Sequence, residues 1–303
     1  MGLDAVHFRG GYNFLGLPEE DTRYENAHAV ILPVPYDSTT SYKAGTREGP
    51  LALILASRNV ELYDLELECE PLISGIHTLP ELEPDMRGPE VTVRNIQKAV
   101  EALVKDGKFP VVLGGEHSIT TAPVRVLAKK YGADFSVLQL DAHADLRESF
   151  ENTPFNHASV MRRVRELCPV TQVGIRNISA GEMEYVRQSR HKTIFWAHDL
   201  QGPAKTWIPS VVKTLKKKVY ITIDLDAFDP AVCPGVGTPE PGGLTWYPTL
   251  ELLQTVIRTH DVVGIDIMEL CPIAGSIVSD FFAAKLLFKL LAEVFAKNHW
   301  IGE

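Results

Sequence analysis

The stretch FSVLQLDAHAD, residues 135–145, decides the fold, because a short, mostly apolar run ends there in alternating acidic and imidazole side chains. Such a run is typical of a strand that is buried on both faces of a parallel sheet. The polar residues that follow then lie at the carboxyl end of the strand, where open α/β sheets bind their ligands. The stretch therefore predicts a buried strand that delivers functional side chains to one edge of a sheet.

Similar runs recur along the chain and alternate with longer segments of helical spacing. The predicted strands are residues 29–34, 110–113, 135–140, 170–173, 193–196, 219–223 and 262–267. The predicted helices are residues 91–105, 122–131, 158–167, 181–188 and 247–259, with a closing helix over 281–295 that is capped at Ser279 or Asp280. This alternation predicts an α/β fold with helices on both sides of a parallel sheet. Since no Gly/Ser-rich or Pro-rich linker divides the chain, we expect a single domain over residues 1–303.

The composition excludes several classes of protein. With 45% hydrophobic and 23% charged residues, the chain resembles an average globular protein rather than a disordered or fibrous one. Its net charge of −9 gives no general attraction for phosphate backbones, so we do not expect a nucleic-acid partner. We expect no membrane span and no targeting signal, and hence a cytoplasmic protein. The absence of a CxxC pair fits a reducing compartment, since the cysteines are the widely spaced Cys69, Cys168, Cys233 and Cys271.

Two imidazoles and four carboxylates follow three of the predicted strands. They are His117, Asp141, His143, Asp145, Asp224 and Asp226. Spacing of two within the DAHAD and DLD motifs points these side chains to one face of an extended chain. A lone Asp after a strand is more often a turn former or a helix cap. Two carboxylates about 4 Å apart, however, repel by roughly 4 kcal/mol at an effective dielectric of 20, so four in one cleft predict bound cations.

The number and type of these ligands favour two divalent cations with shared carboxylates. Six ligands exceed the three or four of a tetrahedral zinc site. Oxygen-rich ligation with two imidazoles favours Mn²⁺ and leaves Co²⁺, Ni²⁺ and Zn²⁺ open. The glycine-rich segment PGVGTPEPGG, residues 234–243, does not match a phosphate-binding loop, because Glu240 stands where the last glycine is needed. We expect it to be a rigid loop beside Asp224 and Asp226.

The motifs GGEHS, DAHAD, SVMRR, GIR, DLDAFDP, GTPEPGG and DIMEL, with YDSTTSYKAGTREGP at residues 36–50, resemble the ureohydrolase family. That family contains arginases, agmatinases, guanidinobutyrases and formimidoylglutamases. The resemblance spans nearly the whole chain and implies a three-layer α/β/α domain with a mainly parallel eight-stranded sheet, two Mn²⁺ per chain and a homo-oligomer, a trimer or hexamer. It implies that one manganese is held by His117, Asp141, Asp145 and Asp224, and the other by Asp141, His143, Asp224 and Asp226.

The resemblance also implies catalytic roles and a reaction. His157 matches the histidine that moves protons at the mouth of the site, although on the residues alone a structural loop histidine is the more common interpretation. Glu269 matches the carboxylate that pairs with the substrate guanidinium, and Asp145 or His157 would protonate the leaving amine. A metal-bridging hydroxide would attack the guanidino carbon and release urea.

The resemblance implies a small cationic guanidino substrate. Two departures from the arginase pattern concern the residues that would bind the tail of this substrate. Arg147 replaces an Asn that helps to bind the α-carboxylate of arginine, and Ser179 replaces an acid that binds its α-amino group. We therefore expect an agmatinase that releases putrescine, with Arg147 facing outward or paired with Glu148 or Glu151. Guanidinobutyrate, formimidoylglutamate, guanidine and arginine stay open as substrates. A catalytically silent metal-binding regulatory subunit is a further alternative, although the complete set of ligands argues against it.

Overall fold

A parallel sheet of eight strands forms the centre of the computed structural model, which describes residues 12–85 and 87–301. The strands are β1 (Ala29–Val34), β2 (Ile76–Thr78), β3 (Phe109–Gly114), β4 (Phe135–Leu140), β5 (Val170–Ile175), β6 (Ile194–Trp196), β7 (Lys218–Asp224) and β8 (Asp261–Met268). Their order across the sheet is β2-β1-β3-β8-β7-β4-β5-β6, and every neighbouring pair is parallel. The predicted α/β fold with its parallel sheet is confirmed.

Helices cover both faces of the sheet. Those of the described residues are α1 (Gly49–Ser57), α2 (Pro89–Lys105), α3 (Thr121–Tyr131), α4 (Val160–Arg165), α5 (Ala180–Ser189), α6 (Ala204–Val212), α7 (Trp246–Thr259) and α8 (Val278–Asn298). Helices α1, α6, α7 and α8 bury one face around side chains such as Ile221 and Ile265. Helices α2 to α5 bury the opposite face around Val112 and Val137. Sheet and helices therefore form the three layers that the resemblance implies.

Three elements were not predicted from the sequence, each for a local reason. Strand β2 has only three residues, which is too short for a recognisable run. Helix α1, GPLALILAS, is apolar on nearly every side and so shows no helical period. Helix α6 contains Pro209 in its interior, and an internal proline normally argues against a helix.

The start of α8 differs from its prediction. The helix begins at Val278 with Ile277 at the N-cap position and no side-chain cap, so the expected cap at Ser279 or Asp280 was wrong. The Ser279 hydroxyl instead accepts a hydrogen bond from the backbone N–H of Gly235 at 2.7 Å, which ties α8 to the loop after β7. No helix among the described residues has both the length and the apolar character of a membrane span.

The four central strands, β3, β8, β7 and β4, position the site. Their carboxyl ends lie side by side at one edge of the sheet, and each is followed by residues that the sequence singles out. Strand β8, the last strand of the chain, lies between β3 and β7 and so joins the two halves of this edge.

Candidate metal centre

A cavity of about 280 Å³ opens at the carboxyl ends of these central strands. Its lining includes nearly all of the predicted site residues: His117, His143, Asp145, His157, Asp224, Asp226 and Glu269. Asp141 is fully buried and lies within 3.0 Å of His117 and 3.7 Å of His143. Side chains from distant parts of the sequence are therefore brought into one place.

The turn after β3 places His117 at the floor of the cavity. Gly115 packs so closely on the segment after β1 that a Cβ there would lie 1.9 Å from the carbonyl oxygen of Tyr36, so only glycine fits. The carbonyl of Gly115 accepts a hydrogen bond from the N–H of Glu269 at 2.8 Å. The N–H of His117 in turn donates to Glu269 Oε1 at 2.7 Å. Backbone contacts thus lock the ends of β3 and β8 together.

One cluster of ligand atoms surrounds His117. Its Nδ1 lies 3.0 Å from Asp141 Oδ2, 3.4 Å from Asp145 Oδ2 and 3.2 Å from Asp224 Oδ2. The other ring nitrogen, Nε2, is hydrogen-bonded to Thr222 Oγ1 at 2.8 Å. Nδ1 itself is buried and has no hydrogen-bond partner in the described part of the chain. A buried lone pair that faces three carboxylate oxygens fits a divalent cation.

A second cluster surrounds His143 and shares Asp141 with the first. His143 Nδ1 lies 2.8 Å from Asp226 Oδ2 and 3.7 Å from Asp141 Oδ1. Within each of two sets, His117–Asp141–Asp145 and Asp141–His143–Asp226, one ligand atom per residue lies within 4.8 Å of the others. Asp141 therefore directs one oxygen to each cluster. Asp224 approaches His117, and its part in a second cation site stays a prediction.

Burial and mutual repulsion set the electrostatics of the clusters. Burial, reinforced by the charge of Asp141, raises the pKa of Asp145 to about 7. Burial also raises the pKa of Asp224 well above its usual value, with Asp226 and Asp141 adding to the effect. Burial alone would lower the pKa of His143, but the Asp226 and Asp141 carboxylates raise it to about 12. Positive charge is therefore needed among these carboxylates, and divalent cations are suited to supply it.

Glu269 and Asp145 both adopt left-handed backbone conformations, with φ of 64° and 54°. Non-glycine residues rarely adopt this conformation, and such strain is concentrated at functional sites. Glu269 Oε1 accepts from the backbone of His117, while Oε2 faces the loop at Gly237. Burial, together with the nearby Glu116, raises the pKa of Glu269 well above its usual value. A cationic partner in the cavity would restore its ionised form.

His157 lies at the mouth of the cavity. Its Nε2 is 3.0 Å from Ser41 Oγ, and its ring meets Phe150 edge-on with 6.2 Å between centroids. The other ring nitrogen is buried and has no hydrogen-bond partner among residues 12–85 and 87–301. Burial lowers the pKa of His157 to about 4, so the imidazole is neutral at pH 7.

Arg147 has a different partner from the one expected. Glu148 pairs instead with Arg162 and Arg163, at 2.6 and 3.0 Å. The Arg147 guanidinium lies over the Phe150 ring, 4.5 Å from its centroid, and its Nε is 3.9 Å from Glu182 Oε2. It therefore lines the cavity wall while leaning toward α5, and its side chain stays 40% exposed.

Arg176 has a structural role that the sequence did not reveal. Its guanidinium donates to the carbonyl oxygens of Asp226 and Glu240, both at 2.7 Å, and of Ala227 at 3.1 Å. It thereby fastens the loop of residues 234–243 to the end of β7. From that loop the hydroxyl of Thr238 donates to Asp226 Oδ2 at 3.3 Å. The arginine of the GIR motif therefore helps to fix one of the candidate ligands.

The chain is similar to known proteins over nearly its whole length. A family model described as "Arginase family" matches residues 27–292. The chain is similar to the N(1)-aminopropylagmatine ureohydrolase of Synechocystis sp., with 42% identity over 280 residues that cover 90% of this chain and 91% of the relative. It is 34% identical to the agmatinase of Pyrococcus horikoshii, over 91% of this chain and 94% of the relative. The crystal structure of agmatine ureohydrolase of Thermoplasma volcanium has a TM-score of 0.86 and 31% identity, over 98% of this chain and 99% of that one.

Proposed function

The chain belongs to the Arginase family and is a ureohydrolase, and from this premise we propose that it hydrolyses agmatine to putrescine and urea. The observation that carries the proposal is the meeting of two His/Asp clusters and a buried Glu269, whose ionisation a bound cation would favour, in one cavity. The clusters fit two cations, and Glu269 fits a planar cationic substrate above them.

The donor set supports two Mn²⁺ ions per chain. His117, Asp141, Asp145 and Asp224 would hold one ion, and Asp141, His143, Asp224 and Asp226 the other. When bound, such ions lower the pKa of a coordinated water to about 7 and so supply a nucleophile at neutral pH. The carboxylates of this chain contribute the fixed negative charge that holds the ions.

Glu269 would bind and orient the guanidinium. Its Oε1 is held by the His117 N–H, which fixes the carboxylate plane, and Oε2 remains directed toward the cavity side of Gly237. Paired charge-assisted hydrogen bonds to a guanidinium hold the guanidino carbon in a fixed orientation. Strong burial makes this pairing selective for a cation, because an unpaired carboxylate there is unfavourable.

His157 and Asp145 are the groups placed to move protons. Asp145 lines the floor of the cavity beside His117, where its carboxylate would be close enough to the reacting groups to pass a proton to the leaving amine. Neutral His157 at the mouth is held by Ser41 and connects the floor with solvent. The leaving amine needs a proton, so these two residues have complementary positions for delivering it.

The residues that line the cavity favour a substrate with an amine tail. Lys43 and Arg147 are basic residues of the cavity lining, and the charge of Arg147 is directed toward Glu182 and its face toward Phe150. Glu240 lines the same cavity, where Asn177 Nδ2 donates to its Oε1 and its Oε2 is left for a cationic tail. The α-carboxylate of arginine would lie close to the Glu182 and Glu240 carboxylates, which is unfavourable for a second anion.

N(1)-aminopropylagmatine is a second candidate substrate. The specific observation in its favour is the 42% identity to the Synechocystis protein named for that substrate. At the rim of the cavity, Tyr42 is 83% exposed, and its ring offers a face for a second tail ammonium. The reaction would then release urea and N-(3-aminopropyl)putrescine.

A substrate panel tests both proposals. We expect manganese-loaded protein to show the highest kcat/KM with agmatine or N(1)-aminopropylagmatine, and much lower values with arginine, 4-guanidinobutyrate, formimidoylglutamate and guanidine. Urea and amine release are measured for each compound. Preference for a compound that bears a carboxylate would contradict the proposal that the substrate has an amine tail without a carboxylate. Lack of turnover with every compound, in protein that holds two ions, would instead favour a metal-binding subunit.

A further inference from the structure

A row of polar side chains crosses the sheet beneath the metal ligands. Strand register pairs Asp266 of β8 with Thr222 of β7, Thr222 with Gln139 of β4, and Gln139 with Gln172 of β5. All four side chains have 0% exposure. Adjacent strand residues such as Leu138 belong to the apolar cluster on the opposite face, so the row points toward helices α2 to α5. We call these four residues the polar row.

Polar side chains are unfavourable in a buried sheet unless their hydrogen bonds are satisfied, so their partners explain their presence. One half of the polar row contacts His117. Thr222 Oγ1 is 2.8 Å from His117 Nε2 and 3.4 Å from Thr120 Oγ1, and the Thr120 hydroxyl donates to Asp266 Oδ2 at 2.8 Å. A proton on Nε2 that is shared with Thr222 leaves Nδ1 free to face a cation.

The other half of the polar row contacts Asp141. Gln139 Nε2 donates to Asp141 Oδ2 at 2.6 Å, and Gln172 Nε2 donates to Gln139 Oε1 at 2.6 Å. His191 Nε2 lies 2.9 Å from Gln172 Oε1. Because an ionised carboxylate only accepts, the orientation of each amide is fixed in turn, and His191 must donate from Nε2. Each of these three residues therefore directs a donor toward Asp141, and Gln172 Nε2 also donates to the carbonyl oxygen of Ala144 at 2.8 Å.

We propose that the polar row positions His117 and Asp141 for metal binding, and that Thr222 and Gln139 are its contact points. This inference rests on the proposed binuclear centre. His117 belongs to one cluster only, whereas Asp141 belongs to both. Loss of the Thr222 hydroxyl should therefore weaken the binding of one ion, and loss of the Gln139 amide the binding of both.

Thr222→Val and Gln139→Met are the tests, because each keeps the approximate shape and removes the hydrogen bond. Mn²⁺ is titrated calorimetrically into full-length protein that a chelator has stripped of metal. We expect Thr222→Val to weaken one of two binding steps by about 10- to 100-fold, the usual effect of losing a partner of a metal ligand. We expect Gln139→Met to weaken both steps, and Thr222→Ser, which restores a hydroxyl, to bind like the wild type.

Thr171→Val is the matched control. Thr171 lies beside Gln172 on β5 and is equally buried, but its hydroxyl bonds to Thr214 Oγ1 at 2.7 Å and not to a ligand. We expect this variant to lose thermal stability without losing Mn²⁺ affinity. Unchanged affinity in both Thr222→Val and Gln139→Met would overturn the role of the polar row.

Failure of a variant to fold and a wild type with fewer than two bound ions are two further outcomes to distinguish. Should Thr222→Val not fold, Gln139→Met and the more remote Gln172→Met carry the same test, and unchanged Mn²⁺ affinity in both overturns the proposal. Wild-type protein that binds fewer than two Mn²⁺ would contradict the binuclear centre itself. That result is read from the wild type alone, so it is distinguishable from failure of the polar row.

Discussion

Asp141 is the residue on which both ligand clusters depend. It is fully buried, and its two carboxylate oxygens face His117 and His143 separately. We expect Asp141→Ala to reduce bound Mn²⁺ from two ions to at most one. Loss of an ion removes several kcal/mol of transition-state stabilisation, so we expect kcat/KM to fall by about 10³-fold or more. Metal analysis after gel filtration and steady-state kinetics measure the two effects.

Asp134→Ala is the control for this change. Asp134 is exposed in the short turn before β4 and lies outside the lining of the cavity. We expect this variant to keep both ions and full activity. Retention of two ions by Asp141→Ala would show that Asp141 is not shared between the clusters.

His157 provides a test of proton transfer that is separate from metal binding. We expect His157→Ala to keep its Mn²⁺ content while kcat falls by about 10²- to 10⁴-fold, the usual contribution of general acid–base catalysis. The exposed His198 serves as the control, and His198→Ala should keep the wild-type rate. An unchanged rate in His157→Ala at all pH values would make His157 a structural loop residue.

The pKa of His157 also gives the sign of a pH effect. Since burial lowers it from 6.5 to about 4, the unfolded chain takes up a proton between these values that the native state does not bind. This residue therefore contributes stability above pH 6.5 that is lost as the pH falls toward 4. The unfolding free energy can be measured by urea denaturation at pH 7 and at pH 5. We expect its decline between these pH values to be smaller in His157→Ala than in the wild type.

Some contacts of single residues could be predicted from the sequence, and others could not. The spacing of Asp141 and His143 after an apolar run was enough to predict their shared location. Gln139 precedes Asp141 by the same spacing of two, yet a lone glutamine in a strand carries no chemical signal without its partners. The contact of Arg147 with Glu182 depends on how the loop after Asp145 packs against α5, and spacing does not encode that packing.

At the scale of elements, the turn between β3 and His117 is the most constrained connection. A Cβ at Gly115 would lie 1.9 Å from a backbone oxygen that cannot easily move. We expect Gly115→Ala to lower the unfolding free energy by about 1 to 3 kcal/mol and to weaken Mn²⁺ binding through displacement of His117. Gly181→Ala is the control, because a Cβ there would meet nothing within 4 Å and alanine favours the helix. Equal stability of the two variants would contradict this account of the turn.

Elements buried on both faces were predictable because continuous apolar runs have few alternative interpretations. Strands β3, β4 and β7 belong to this class, and polar groups mark where they end. Helices α1 and α6 were not predictable in this way. Their identity as helices is established by packing on the sheet beside α7 and α8, which involves residues far away in the sequence.

At the scale of the whole molecule, metal binding should be coupled to stability. Ions that bind only the native clusters stabilise the fold, by about 2.7 kcal/mol for a site at a free concentration of 100 times its Kd. We expect Mn²⁺ to raise Tm by a few degrees over chelator-treated protein. In a chain of this size, each kcal/mol of added stability raises Tm by at most roughly 2–4 °C. Differential scanning calorimetry checks this. A similar rise in Asp141→Ala would mean that Mn²⁺ acts elsewhere on the protein.

The central position of β8 has a consequence for biosynthesis. Nascent chains emerge from the ribosome N-terminal end first, and here the strand that joins β3 to β7 is the last to appear. Until residues 261–268 have left the exit tunnel, the half-sheet that carries His117 and the half-sheet that carries Asp141 and Asp224 have no strand between them. We therefore expect the His117 cluster, which combines residues of both half-sheets, to assemble only after β8 has been inserted, whereas the Asp141–His143–Asp226 set lies on the β4–β7 half alone.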